Sequence, residues 1–227
     1  MEKIKIAIDG PAGAGKSTIA KVVAQRLGFV YIDTGAMYRA VGLYALKRGI
    51  SPEDEKGLEE ILDGLEIDIK FEEKGQLILL DGRDVTGQIR TQEISAAASD
   101  VAKWRAVRRK LVDLQRRLAD KYSVVMDGRD IGTHVLPDAQ VKLFLTADVE
   151  DRARRRYSEL LEKGEEASLK VVLEDMKKRD YNDSHRTVAP LKRAEDAVEV
   201  NTTGFALEKS VELIYQTILD LLEQRKG

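Results

Sequence analysis

No cysteine occurs in the 227 residues, which excludes disulfides and thiolate metal sites outright. Only two histidines are present, His134 and His185, and their separation argues against a histidine-rich metal cluster. No apolar run approaches the roughly 18–20 residues of a membrane span. The amino terminus passes directly into a strand-like segment with no signal-peptide layout, so the simplest location is the cytoplasm. An excess of one charge is also lacking. The 38 basic and 40 acidic residues give a formal charge of −2, so any cationic site must be local rather than a global basicity toward nucleic acid. There is no internal repeat, no low-complexity segment and no [NT]-K-x-D guanine reader. What remains is 43% apolar and 34% charged, a globular composition long enough for one α/β domain with a small insert.

The hydrophobic pattern alternates strand and helix. Residues 4–8 (IKIAI) and 29–32 (FVYI) read as buried strands, with a helix between them through Ile19, Val23 and Leu27. A helix is expected over 36–47. Another should start in "GISPEDE", with Ser51 as N-cap and Pro52 at the first helical position. Residues 66–90 change rhythm: "EIDIKF" and "QLILL", with turns at "EKG" and "DGRD", predict a short antiparallel meander inserted between helical segments. Helical periodicity returns over 91–121. Strands follow at 123–127, 141–145 and 196–200, with helices at 149–163, 168–181 and 207–225. This alternation implies an α/β fold: a parallel sheet with helices on both faces.

Gly10-Pro11-Ala12-Gly13-Ala14-Gly15-Lys16-Ser17, followed by Thr18, satisfies G-x-x-x-x-G-K-[ST] between a strand and a helix. Small residues let backbone N–H groups approach phosphate oxygens, and the helix N-terminus adds its positive end. Lys16 would reach the β and γ phosphates, and the Ser17 hydroxyl would ligate Mg²⁺. Asp127, closing "SVVMD", is either the acid that holds the metal through water or a solvated strand end. The loop thus points to a nucleoside triphosphate without saying what becomes of its phosphate.

Three outcomes can be weighed. A GTP switch lacks its guanine reader, and Asp84-Val-Thr-Gly87 matches D-x-x-G only by chance, inside the insert. A nucleic-acid motor or RNA-associated ATPase would rest on the basic stretch 103–121. That stretch reads first as a solvated helix face whose apolar stripe (Val107, Leu111, Leu114, Leu118) is buried. A phosphotransferase needs a second, cation-lined site beyond the strand ends next to the phosphate loop. "DTGAMYR" supplies Thr34 and Arg39 there, and "GRD" supplies Arg129 and Asp130. Further on, "DRARRR" puts Arg152, Arg155 and Arg156 on one helical face, and "RDYNDSHR" puts Arg179, Asp183 and Arg186 at i, i+4 and i+7.

Together, "IDGPAGAGKST", "YIDTGAMYRA", "DGRDIGT…PDA" and "RDYNDSHR…APL" resemble the bacterial cytidylate kinases, and the likeness spans nearly the whole chain, meander included. The resemblance implies a P-loop three-layer fold with a central parallel five-stranded sheet, a small antiparallel β insert and a helical lid. It implies a single kinase unit: a core of 1–35, 105–150 and 187–227, a nucleotide-monophosphate-binding region of 36–104 with the insert at about 64–90, and a lid of 151–186. It implies transfer of the γ-phosphoryl group of ATP to CMP or dCMP with Mg²⁺, in pyrimidine nucleotide recycling. A monomer with no stable nucleic-acid partner and no membrane partner is expected. By resemblance, Thr34, Arg39, Ser99, Arg108, Arg129, Asp130, Arg179, Asp183 and Arg186 bind CMP. Arg155 and Arg156 match lid arginines that reach the triphosphate, with Lys16, Arg129 and Arg155 stabilising the transferring group.

The chemistry is consistent with this. A carboxylate accepting from the cytosine N4 amino group is the expected reader, and Asp130 is the candidate, with Arg108 and Arg186 donating to O2 and N3. If Ser99 and Arg108 both touch CMP, nine residues apart, the helix between them must break, with Trp104 the expected point. Asn201 stands where the family often has aspartate, which leaves the nucleotide donor open.

Overall fold

The computed structural model describes residues 3–72, 75–162 and 164–225. Five parallel strands form the central sheet in the order β2-β6-β1-β7-β8: β1 (Lys5–Asp9), β2 (Val30–Asp33), β6 (Val124–Gly128), β7 (Val141–Thr146) and β8 (Val198–Asn201). β1 pairs in parallel with both β6 and β7, so the phosphate loop leaves the middle strand. Alternating side chains divide the core into two layers. Ile6, Ile8 and Val125 pack with helix α1 (Lys16–Leu27) and helix α8 (Leu207–Gln224) on one face. Ala7, Val124 and Met126 pack on the other face with helix α2 (Thr34–Lys47) and helix α5 (Arg105–Lys121). Both faces are covered, which is why the strands read as continuous apolar runs.

The meander is a separate three-stranded antiparallel sheet, β3 (Ile67–Glu72), β4 (Gly75–Leu80) and β5 (Arg83–Asp84). Asp81 (φ 51°) and Gly82 (φ 75°) make a two-residue turn with both residues left-handed, the geometry that lets a right-twisted hairpin close tightly. Of the expected "EKG" turn, Glu73 and Lys74 lie outside the described residues. Ile69, Ile78 and Leu80 face the core, and Gln76 Oε1 accepts from Asp33 N at 2.9 Å, tying the insert to the end of β2. The D-x-x-G stretch is a local turn in which Asp84 Oδ1 accepts from Thr86 N at 2.8 Å.

Several boundaries differ from the sequence expectation. Helix α3 (Glu55–Leu62) is capped by Asp54, whose carboxylate accepts from Gly57 N at 3.1 Å. Ser51 only closes a local turn by accepting from Glu53 N. The helix expected from 36 starts at Thr34, because the Asp33 side chain caps it through Ala36 N at 2.8 Å. The stretch 91–121 is two helices, α4 (Gln92–Val101) and α5, separated at 102–104. Trp104, the N-cap residue of α5, packs against the core and donates Nε1–H to Pro52 O at 2.9 Å, so it is a packing residue. Helix α6 is Val149–Glu162; residue 163 is not described. Helix α7 runs from Leu169 to His185, beyond the expected end at 181. The last strand, β8, begins two residues later than expected, at Val198. No helix among the described residues is long and apolar enough to cross a membrane.

Candidate active site

The phosphate loop runs from β1 into α1 with glycines where side chains cannot go. A Cβ on Gly10 would lie 1.9 Å from the carbonyl oxygen of Leu145, and Gly13 sits at φ 72°. Lys16 is buried and donates Nζ to Pro11 O at 2.6 Å. Burial and the neighbouring Arg129 charge push its ammonium well below the usual lysine range, against the pull of Asp127 and Asp9. Ser17 Oγ donates to Asp127 Oδ2 at 2.8 Å, so Asp127 is buried beside the loop and is not a solvated strand end. Tyr31 donates its hydroxyl to Asp127 Oδ1 at 2.8 Å, a contact that the sequence patterns did not reveal. Burial, and then the Asp33 charge, raise Asp127 to about 6.

Across the ends of β2 and β6 lies a cluster of arginines. Asp33, besides capping α2, holds Arg39 Nη2 at 2.8 Å. Thr34 is buried and donates Oγ1–H to Asp127 O at 2.6 Å, locking the start of α2 to β6. Arg129 gives Nε to Asp183 Oδ2 at 2.8 Å. Partial burial and the nearby Arg129 charge push the Arg179 guanidinium down to about 10. Four atoms here are buried without a hydrogen-bond partner among the described residues: Arg39 Nε, Arg179 Nε, and Nε and Nη1 of Arg108. Unpaired buried donors are costly, so several cations held this way point to an anionic or carbonyl-bearing ligand.

Asp130 follows β6 and is buried between two of these arginines. It bonds Arg108 Nη2 closely and takes Arg186 Nη2 at 3.0 Å. Arg108 is 2% exposed, rare for an arginine, and its guanidinium stands 5.8 Å from the Tyr38 ring. Arg186 Nε donates to Ala189 O at 2.7 Å, and Ala189 adopts φ 46° directly before Pro190. That left-handed alanine, strained by its Cβ and by the following proline, aims a carbonyl that no sequence pattern flagged. Ser99 lies on α4, half-buried, beyond the break that lets α4 and α5 turn different faces inward.

The "DRARRR" arginines separate. Arg152 is buried and donates to Ala147 O, Ala12 O and Asp180. Arg155 Nη2 bonds Thr202 O at 2.8 Å and pairs with Asp151 at 2.6 Å, whereas Arg156 pairs with Glu159 at 3.1 Å. Arg155 and Arg156 are thus engaged with partners outside the phosphate loop, and Arg152, the member of that face to which the resemblance assigned no ligand, is the one that touches it. Asn201 accepts from Thr203 N at 2.9 Å and Thr203 Oγ1 at 2.7 Å, shaping the loop after β8.

Comparison with known proteins places the whole chain. The sequence model described as cytidylate kinase matches residues 6–220. A cytidylate kinase of Caldicellulosiruptor bescii is 54% identical over 96% of this chain and 98% of its own length. That of Bacillus subtilis is 48% identical over 99% and 98%. Among solved structures, a gluconokinase from Sinorhizobium meliloti (TM-score 0.51, 14% identity, 98% of this chain and 95% of that one) shares the fold. So does a shikimate kinase from Bacteroides thetaiotaomicron (0.50, 15%, 97% and 98%). With half its residues shared over almost its full length, the chain belongs to the cytidylate kinase family.

Proposed function

We propose that this chain transfers the γ-phosphoryl group of ATP to CMP or dCMP, giving ADP and CDP or dCDP. The observation that carries the choice of acceptor is Asp130, buried between Arg108 and Arg186 beside the cationic cluster. A carboxylate there accepts from cytosine N4–H₂, and the arginines offer donors to O2 and N3. Uracil would oppose the carboxylate with a carbonyl oxygen and leave buried groups unpaired, which can reject a substrate by orders of magnitude. Arg39 and Arg129, with the spare Nε of Arg39, would hold the acceptor phosphate. Arg179, Asp183 and Ser99 would hold the sugar.

The residues present suit Mg²⁺. Ser17 Oγ and the Asp127 carboxylate are hard oxygens 2.8 Å apart beside the loop, so Ser17 would ligate the ion directly and Asp127 through water. When bound, Mg²⁺ supplies charge neutralisation at the phosphates. The protein's part is positioning and electrostatics. A phosphate monoester has its second pKa near 6, so at neutral pH the acceptor oxygen is already anionic and no catalytic base is needed. That oxygen forms the new P–O bond, the bond from the γ phosphorus to the bridging oxygen breaks, and ADP leaves with the electron pair. Lys16 and Arg129 flank this transfer, and the anion relieves the repulsion between them. In this reading 151–186 act as the lid, where Arg155 and Arg156 would have to exchange their present partners to reach the triphosphate. The protein would act as a cytoplasmic monomer.

The test is ADP release with Mg-ATP and CMP, dCMP, UMP, AMP, GMP or dTMP, against a blank without acceptor. Turnover with CMP and dCMP, and a loss of at least about 10²-fold in kcat/KM for CMP in Asp130→Asn, is the expected result. ADP release that is the same without acceptor would overturn it and return attention to an ATPase acting through the basic helix α5.

A further inference from the structure

Helix α7 meets the phosphate loop at two positions and Arg129 at a third, on successive turns of one face. Met176 packs on Gly13, where a Cβ would come 2.8 Å from Met176 Cε. Asp180 Oδ1 accepts from Ala12 N at 3.4 Å. Asp183 holds Arg129 at 2.8 Å. The spacing of these residues, i, i+4 and i+7, is that of a single helical stripe.

Arg152 on α6 completes the middle contact. Its Nε donates to Ala147 O at 2.8 Å, its Nη1 to Ala12 O at 2.7 Å and its Nη2 to Asp180 Oδ2 at 2.6 Å. The peptide groups on both sides of Ala12 are therefore gripped, the N–H by Asp180 and the C=O by Arg152. The guanidinium is buried and its planar fork fits three acceptors in fixed directions. Neither side chain is among those that would touch CMP or the phosphates. Yet α7, which carries Asp180, also carries Arg179 and Asp183 to the acceptor side.

Resting on the kinase reading above, we propose that Asp180, held by Arg152, is a positioning residue that couples the donor site to the acceptor site through α7. A nucleotide that fixes the loop fixes the Ala12 peptide, and with it Asp180 and the helix. The second nucleotide then meets side chains already ordered, and less ordering entropy is left to lose. The coupling is reciprocal, since linkage requires each ligand to tighten the other by the same factor.

Calorimetry on the full chain tests this. The dissociation constant of CMP is measured alone and with saturating Mg²⁺ and a non-hydrolysable ATP analogue, then that of the analogue with and without CMP. The wild type is expected to show at least about a five-fold mutual tightening, the lower end of typical coupling. Asp180→Ala should bring it close to onefold while CMP alone binds within about two-fold of wild type. Asp180→Asn, which keeps an oxygen for Arg152, should give an intermediate factor and guards against a misfolded alanine variant. A wild type that binds both nucleotides without mutual tightening would overturn the proposal. So would either variant that keeps the full factor, or one that weakens CMP equally with and without the analogue. A wild type that fails to bind CMP at all would instead sink the kinase reading on which it rests.

Discussion

Asp9 ends β1 one residue before the phosphate loop, yet both its oxygens turn to the helical turn that follows β6. Oδ1 accepts from Ile131 N at 2.8 Å and Oδ2 from Gly132 N at 2.7 Å, directly after Asp130. The phosphate-loop motif begins one residue later, and the partners lie over 120 residues away, so nothing local in the sequence signals this role. Burial raises the carboxyl to about 7, with Asp130 adding to the rise and Lys16 and the two N–H groups opposing it. The sign follows from linkage. Between an unfolded value of 3.8 and a folded value near 7 the folded state holds the proton and the unfolded state does not. Stability from this group is therefore greatest at the acid end and is lost as pH rises toward 7. Asp9→Asn cannot titrate there. The stability of the wild type, read from thermal midpoints, should thus gain on that of Asp9→Asn as pH falls from about 7 to 5, by on the order of 1.36 kcal/mol per pH unit. A difference that is flat across that range would show that Asp9 does not titrate in it.

At the scale of elements, the strands and the strand–loop–helix start were legible because apolar runs and glycine spacing are local signals. The helix starts were less so. "SPED" offers two capping residues, and Asp54 wins over Ser51 because only Asp54 stands three residues before a free helical N–H, that of Gly57. The break at 102–104 was legible only through the resemblance, since one straight helix cannot turn Ser99 and Arg108 the same way if both are to touch CMP; the periodicity by itself read 91–121 as helical. What the sequence could not give is how closely helices approach. Gly42 on α2 faces α4 so tightly that a Cβ would sit 3.0 Å from Ala97 Cβ and 3.3 Å from Ala97 C. In an open helix, alanine there would gain up to about 1 kcal/mol over glycine. Against this backbone contact a larger side chain must push α4 away. Gly42→Val should destabilise by about 1–3 kcal/mol, as overpacking does. It should also raise KM for CMP more than it lowers kcat, because α4 carries Ser99. Denaturant midpoints and steady-state kinetics read both effects.

Over the whole molecule the charges nearly cancel, but they are not evenly spread. The cleft between the sheet ends, α2, α5 and α7 collects Lys16, Arg39, Arg108, Arg129, Arg179 and Arg186, with fewer carboxylates among them and several donors unpaired. Unpaired cations gathered in this way cost folding stability, and on the proposed function that cost is offset when an anion binds. CMP should therefore stabilise the protein well beyond what cytidine does at the same concentration, because only CMP brings the phosphate. At about one hundred times its Kd, CMP contributes about 2.7 kcal/mol, or about 5–10 °C in thermal midpoint for a chain of this size. Arg179→Met keeps most of the volume and removes a charge that Arg129 already repels. It should raise the midpoint of the nucleotide-free protein by a few degrees while reducing the shift produced by the same CMP concentration by at least half. If thermal scans gave an unchanged CMP shift in that variant, Arg179 would not be part of the acceptor site. If they gave a lower nucleotide-free midpoint, the guanidinium would be a structural support, and its depressed pKa a sign of burial alone.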